Sequence, residues 1–445
     1  MPETSDIFTP DFQARPYWWD AAPPAPAEAP LPEEAEVLVV GGGIAGLSTA
    51  LELARNGVRP LVIDREPIGW GASSRNGGAL AGAGGLGKLR GDLKEHLGAA
   101  FLAELMEEGE GAFEQFEAQV ARDALDCDYM RCGRFVGAHA PKALEALKRR
   151  AEMINETGAG QAEVVSRAGV AAEIATERYA GGMVLHRAGS VHPGKYTRSL
   201  ARAAEKHGAL LASGVEMLDY RRDADGGFRV RTRRGEVRAR QLMVATNGYT
   251  GAATPWQQRR LIPVASYMIA TEELGEARVR SLLPNLRVYG DTKKVLYYFR
   301  PSPDHSRILF GGRASFVDAD VLRAGATLHR FLLDLMPSLR GSRVSHAWKG
   351  NVAFAFDLMP HVGTQEGVHY ALACNGSGVV TMTHLGRVAA QRIMGSANRE
   401  SGFARLPFPT MPFYGGKPWF LPLVGMGYQL RDRLDGWRVR KGGQE

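Results

Sequence analysis

The chain runs to 445 residues, more than one ordinary core accommodates, so one bilobal unit or two interleaved domains are expected. Hydrophobic residues make up 44% and charged residues 23%, which excludes a mostly disordered chain and leaves room for a large buried core. The formal net charge of +7 is scattered, densest at residues 221–240 and 431–441, and no nucleic-acid-binding pattern accompanies it. It reads as a solvated face, with an anionic substrate or a membrane surface left open.

Cys127, Cys132 and Cys374 have neither disulfide-framework nor metal-ligand spacing. No apolar run approaches the roughly 20 residues of a membrane span. A cytoplasmic protein without a resident metal or an integral membrane segment is expected.

In chain order, residues 1–35 are rich in Pro and Ala and read as an extended arm that Trp18 and Trp19 pin to the body. The apolar run Val37-Leu38-Val39-Val40 reads as a buried strand, followed by Gly41-Gly42-Gly43-Ile44-Ala45-Gly46 and a helical pattern to Gly57. A second strand, Pro60 to Ile63, ends on Asp64 and completes a βαβ start. Residues 70–87 are glycine-rich but contain Ser73-Ser74-Arg75-Asn76, which suits a ligand-facing loop. Helical patterns follow at 91–121 and 141–157, and another opens at His192-Pro193, where the missing N–H of proline costs little.

Residues 209–213, 216–221, 228–233 and 237–245 read as an antiparallel ribbon returning to a core strand that ends in Thr246-Asn247-Gly248. Strands at 261–271, 295–300 and 307–311, with one helix near 321–335, suggest a separate antiparallel lobe. The chain closes with a strand at 368–373, the turn Cys374-Asn375-Gly376-Ser377-Gly378 and a helix to Met394.

The glycine turn carries the first chemistry. Gly41 permits the tight turn, Gly43 lets backbone reach a pyrophosphate, and Gly46 lets helix and strand approach closely, while the helix N-terminus around Ile44 and Ala45 favours the anion. Asp64, eighteen residues beyond Gly46 and followed by Arg65, offers a carboxylate to an adenosine ribose. The competing reading is a glycine-rich turn in an unrelated α/β protein. An NAD enzyme would continue with more βα units, whereas this chain leaves for long helices and returns near residue 209. A ligand long enough to touch all of these segments is FAD.

Together, residues 37–46, the loop Trp70-Gly71-Ala72-Ser73-Ser74-Arg75-Asn76-Gly77-Gly78, His192-Pro193, Ala245-Thr246-Asn247-Gly248, Asp357-Leu358-Met359-Pro360-His361-Val362-Gly363 and Gly376-Ser377-Gly378-Val379 resemble the D-amino-acid oxidase (DAO) superfamily of flavoproteins, nearest the branch containing gamma-glutamylputrescine oxidase. The resemblance implies an α/β fold: a discontinuous, Rossmann-like FAD-binding domain of the glutathione-reductase type, with an antiparallel β-sheet plus helices as substrate domain. It assigns 36–90, 150–255 and 357–400 to FAD, 91–149 and 256–356 to the substrate or cap domain, and 401–445 to a C-terminal tail.

By the same resemblance Ser73, Arg75, Asn76, Gly77 and Gly78 lie beside the pyrophosphate and flavin, the backbone of Val215 meets the adenine, and Thr246 and Asn247 close the strand behind it. Gly376, Ser377, Gly378 and Val379 open the last helix toward the flavin, with Ser377 available as a cap. On the substrate side Tyr298 takes the place of a substrate-site tyrosine, and Tyr267, Trp348 and Phe354 have similar claims, each against core packing. Arg313 offers a positive charge to an anionic group of the substrate, against an ordinary surface role.

Two departures bear on chemistry. Oxidases of free amino acids carry a carboxylate-binding arginine in a Trp-x-Gly-Leu-Arg-Pro run, and here Val352 stands in its place. Sarcosine-type oxidases place a lysine where Leu309 stands, and their flavin-linking cysteine has no counterpart. The expectation is non-covalently held FAD, with an amine or N-substituted amino compound as substrate and O2 or another acceptor as oxidant. A same-fold dehydrogenase feeding a quinone or carrier, and a flavin-binding subunit of a larger oxidase, are the competing functions.

Overall fold

The computed structural model describes residues 7–82, 97–156, 158, 161–293, 295–314, 319–396 and 400–428. The end of the glycine-rich loop, the start of the 91–121 helix and the basic run at 431–441 lie outside the described residues.

Two large sheets dominate. The first is built around parallel strands: Glu34–Val40 lies between Gly235–Val244 and Pro60–Asp64, and Leu210–Ser213 extends it beyond the latter. Val37, Leu38, Val39 and Val40 are buried because helices cover one face of the strands and the ribbon packs against the other, which explains an apolar run without alternation. Gly235–Val244 also pairs in parallel with Val368–Leu372, so the late strand returns beside the first one as expected. Met217–Arg222 and Phe228–Thr232 form the antiparallel ribbon at its edge.

The second sheet has nine strands, in the order Phe8–Gln13, Val344–Phe354, Ile262–Thr271, Ile308–Gly312, Tyr297–Pro301, Val288–Asp291, Arg134–Gly137, Gly182–Leu185 and Ala162–Val165. Its composition differs from the expected division of the chain. Strands within 162–185, grouped in the sequence reading with the FAD segments, pair in this sheet instead. The helix Ala99–Arg122, grouped there with the cap, buries Leu102, Leu105, Met106, Phe113 and Phe116 in the core shared with the Ile44–Arg55 and Gly378–Met394 helices.

The arm also departs from expectation. Phe8–Gln13 is an edge strand paired with Val344–Phe354, and Trp18–Ala21 forms one helical turn. Phe8 and Phe12 supply the apolar contact that orders it against the second core. Trp18 is fully buried, so the expected anchoring holds.

Each face of the nine-stranded sheet has its own neighbours. Phe135, Tyr267, Ile269, Tyr289, Tyr297, Phe299 and Phe310 belong to one core with the buried side of the Val321–Leu335 helix. The alternate residues, among them Val136, Ser266, Val288, Tyr298 and Val352, look toward the first sheet, and a cavity lies there. Among the described residues no helix is long and apolar enough to cross a membrane.

Candidate cofactor and substrate site

A cavity of 1390 Å³ runs from the C-terminal end of the parallel strands to the alternate face of the nine-stranded sheet. That exceeds the roughly 300–1,000 Å³ of a site for one drug-sized ligand, and suits a dinucleotide plus a substrate. Gly43, Ile44 and Ala45 line it at the N-terminus of one helix, and Gly376, Ser377, Gly378 and Val379 at the N-terminus of another. Two helix ends therefore present backbone N–H groups and partial positive charge to one space.

Close packing aligns those ends. A methyl group at Gly386 would lie 2.4 Å from the Ala45 carbonyl oxygen, so the two helices cross where no side chain intervenes. Thr49 Oγ1 bonds to the carbonyls of both Ala45 and Gly386 at 2.9 Å. At Gly46 a methyl would meet the Gly41 carbonyl oxygen at 2.0 Å, which is the close helix-to-strand approach expected there. Gly41, at φ +111°, turns the chain against Ala245.

The loop between them is held by three indoles. Trp18 Nε1 donates to the Asn76 carbonyl at 2.9 Å, Trp19 Nε1 to Ser74 Oγ at 2.9 Å, and Trp348 Nε1 to the Arg75 carbonyl at 2.8 Å. Ser73 Oγ accepts the Ile44 N–H at 2.9 Å and sits where a side chain on Gly43 would be, only 2.7 Å from a built methyl. Asn76 closes the loop, donating to the carbonyls of Ala72 and Ser73 and accepting the Gly78 N–H. Arg75 is stacked between Trp70 and Trp19, its Cζ 4.1 and 4.5 Å from the ring centroids. It donates to the Trp70 and Lys349 carbonyls, and burial lowers its pKa.

The second helix entrance is pre-shaped by an unusual turn. Asn247, Ala373 and Asn375 all have positive φ, a conformation that costs energy outside glycine. Their side chains offset it: Asn247 Oδ1 accepts the Ala373 N–H at 3.0 Å, and Asn375 donates to the Ala373 carbonyl at 2.7 Å. Ser377 occupies the cap position but makes no side-chain cap bond, contrary to expectation.

Of the expected cofactor residues, Ser73, Arg75, Asn76, Gly77 and Asn247 line the cavity with the two helix ends. Gly41, Gly46, Asp64, Arg65, Gly78, Val215 and Thr246 are not among its lining residues. Asp64 accepts the Gly42 N–H on Oδ2 at 2.8 Å and the Glu66 N–H on Oδ1 at 2.9 Å, so one oxygen holds the glycine turn and the other the turn that follows its own strand. Burial raises its pKa against those two bonds. The Val215 N–H is taken by the Asp64 carbonyl.

On the substrate side the outcome is divided. Tyr298 lines the cavity, its hydroxyl 2.9 Å from Ser266 Oγ, and burial pushes its pKa up to about 12. Methyl groups at Gly311 and Gly77 would lie 2.3 and 3.3 Å from its ring, so both glycines leave room for it. Arg313, Val352 and Phe354 also line the cavity, with the Arg313 Cζ 5.6 Å from the Phe354 ring centroid.

Tyr267 is corrected: it points to the opposite face, 1% exposed, with its hydroxyl at the Ala319 backbone. One position in a strand changes the face, and Tyr267 is on the helix-covered one. Trp348 is also corrected; it is buried with Trp18, Met268 and Leu309 and serves the loop. Ser266, Cys374 and Asn375 are wall residues that the sequence reading did not single out as site residues. Ser266 had a signal in the polar break within Val264-Ala265-Ser266-Tyr267-Met268, whereas Cys374 had none.

The DAO family model, described as FAD dependent oxidoreductase, matches residues 36–392. The chain belongs to this family. Gamma-glutamylputrescine oxidoreductase of Escherichia coli (strain K12) is 33% identical over 410 residues, covering 90% of this chain and 93% of that protein. A probable oxidoreductase, OrdL, of Rhizobium meliloti (strain 1021) is 28% identical over 94% of this chain and 97% of its own length. Glycine oxidase from Geobacillus kaustophilus shares the fold, with a TM-score of 0.71 at 19% identity over 86% of this chain and all of its own. FAD is the family's cofactor, and the two helix ends, the Gly43 cradle and the long cavity fit it.

Proposed function

We propose that this DAO-family protein oxidises the C–N bond of an amine or an N-substituted amino compound. The carrying observation is the continuity of one cavity from the Gly43 and Gly378 helix ends to the wall bearing Tyr298, Val352 and Phe354. Val352 is at the place where the resemblance puts the carboxylate-binding arginine of free amino-acid oxidases, which favours an amine. The relative named for gamma-glutamylputrescine supports the same class.

FAD, when bound, would supply a two-electron acceptor for the hydride of the carbon beside nitrogen; water would then hydrolyse the imine to carbonyl and amine, and O2 would take the electrons as H2O2. The chain's own work is orientation and exclusion of water. Ser73, Arg75, Asn76 and Gly77 hold the cofactor side, with Gly376, Ser377, Gly378 and Val379 placing positive helix potential where negative charge develops. Tyr298, protonated at neutral pH, orients the substrate as a neutral group beside the loop, its ring next to Gly77.

Anaerobic addition of primary and secondary amines to the flavin-loaded protein should bleach its absorbance. No bleaching by any such amine would overturn the reading. The second reading, a dehydrogenase that uses a quinone or carrier, draws on Leu309, buried among Trp18, Met268 and Trp348 where sarcosine-type oxidases carry lysine. Peroxide formed per amine consumed, compared with dye reduced, decides between the two.

A further inference from the structure

We infer that the segment 413–428 docks on an anionic membrane surface, with Trp419, Leu423 and Met426 entering the lipid interface and the basic residues around and after them meeting the head groups. The inference goes beyond the oxidation reading and does not depend on it.

Among the described residues the four most exposed large apolar side chains are Phe413, Trp419, Leu423 and Met426, at 61–101% exposure, and all lie in this one segment. Single apolar side chains scattered over a surface are ordinary, whereas such a concentration marks an interaction site. Phe413 stands fully exposed at φ +61°, a conformation that an aromatic residue adopts rarely. Residues 421–428 are helical, with a turn at 419–420 before them. Trp419, Leu423 and Met426 recur at the i, i+4 and i+7 spacing of one helix face, and that face is outward.

The other face belongs to the body. Phe420 and Leu421 join an apolar cluster with Ile262, Val264 and Tyr414, and the Tyr414 hydroxyl donates to the Leu261 carbonyl at 2.7 Å. Gly416 permits the approach, since a methyl there would lie 2.4 Å from Gln258 Cγ. The helix is thus apolar on both sides, and its outer side is costly in water unless something covers it.

Charge selects the cover. No acidic residue occurs between Glu400 and Asp432, while residues 417–441 carry six basic and two acidic side chains. Lys417 is exposed at the start of the segment, and Arg259, also exposed, is tied to the chain leading into it through its carbonyl, which accepts the Thr410 hydroxyl. Apolar side chains that include a Trp, flanked by Lys and Arg, suit the boundary between acyl chains and anionic head groups. A second copy seated on the same face would set these cations against themselves.

Docking also fixes an orientation. Val264, in the cluster that holds the helix, lines the cavity, as does Phe354. Tyr428 stands close enough to Arg313 in the cavity wall to oppose the fall in pKa that burial imposes on it. The substrate side of the cavity therefore lies about one helix diameter, roughly 10 Å, behind the docked face. A lipid-dissolved acceptor, as the dehydrogenase reading requires, would arrive on that side.

The test floats the full-length, flavin-loaded protein with vesicles of phosphatidylcholine, alone or with about one-third phosphatidylglycerol. Partitioning should be at least about tenfold tighter on the anionic vesicles, and salt should weaken it. Leu423→Gln combined with Met426→Gln should loosen it about tenfold or more. Leu322→Gln, which removes an exposed apolar side chain on the Val321–Leu335 helix, should stay within about twofold of the parent. Arg438→Gln, Arg440→Gln and Lys441→Gln together should remove most of the preference for anionic lipid. All variants should keep the parent's rate of flavin reduction by amine in lipid-free solution.

Absence of flotation with anionic vesicles would overturn the docking. So would flotation that the Leu423→Gln, Met426→Gln pair leaves unchanged, or that Leu322→Gln weakens as much as the pair does. A lipid-free dimer that the same pair dissociates in sedimentation would assign the face to a second copy and overturn the inference as well. If the pair does not fold, Trp419→Gln alone must loosen vesicle binding at least about fivefold, or the inference falls.

Discussion

Trp348 donates its indole N–H to the main-chain carbonyl of Arg75 at 2.8 Å, across 273 positions of sequence. The bond ties the nine-stranded sheet to the loop that lines the cofactor side of the cavity. Trp348→Phe keeps most of the buried ring but leaves that carbonyl without its donor, a loss of about 1–2 kcal/mol. Thermal unfolding should shift down accordingly, and the protein should purify with less flavin per chain. An unchanged flavin content would show that the indole is packing alone.

Gly311 is the floor under Tyr298. Its replacement by alanine would put a methyl 2.3 Å from the ring, a contact that forces Tyr298 off its site. Gly311→Ala should lower kcat/KM about tenfold or more and cost about 1–3 kcal/mol of stability. Steady-state kinetics with the best amine from the anaerobic screen checks it.

Burial holds the Tyr298 phenol near 12, against the hydrogen bond from Ser266 and the charge of Arg313. Tyr298 therefore stays protonated between about pH 6 and 10, and a rise of flavin reduction rate there is expected from deprotonation of the substrate amine rather than of Tyr298. Tyr298→Phe should lower the rate without moving the inflection. A shift of the inflection by a full unit would mean that Tyr298 itself takes the proton.

His192 caps the Pro193–Lys206 helix by accepting the Lys195 N–H on Nδ1, a role that requires the neutral ring. Burial lowers its pKa from about 6.5 to about 4. Above about 6.5 folded and unfolded chains are both neutral at this position, and its contribution to stability is fully present. As pH falls from there to about 4, the unfolded chain takes the proton first and that contribution is lost, by about 3 kcal/mol. His192→Asn, which keeps a cap without the titration, should flatten this part of the stability curve in denaturant melts.

Local physics made the first sheet readable. Residues 37–40 and 60–63 are continuous apolar runs bounded by glycine or a charge, and Gly46 has a steric reason within five residues, the Gly41 carbonyl, whereas Gly41 and Gly43 make room for the distant Ala245 and Ser73. Short strands such as Arg134–Gly137, Gly182–Leu185 and Val288–Asp291 were harder. Four residues give too few alternations to distinguish a strand from a loop, and their partners lie far away in sequence.

The sequence by itself determined the nucleotide-binding turn, the discontinuous return of the strands at 244 and 368 and the glycine-rich loop, because each depends on backbone sterics or an apolar run. The tertiary structure decided the substrate side. Tyr267 and Tyr298 look alike as aromatic residues on strands, yet pairing sends one to the helix-covered face and the other to the cavity. Trp348 shares the cavity face of its strand, but the arm residue Trp18 covers it. Which face of a sheet stays open is set by what lands on it, and that information is distributed over the whole chain.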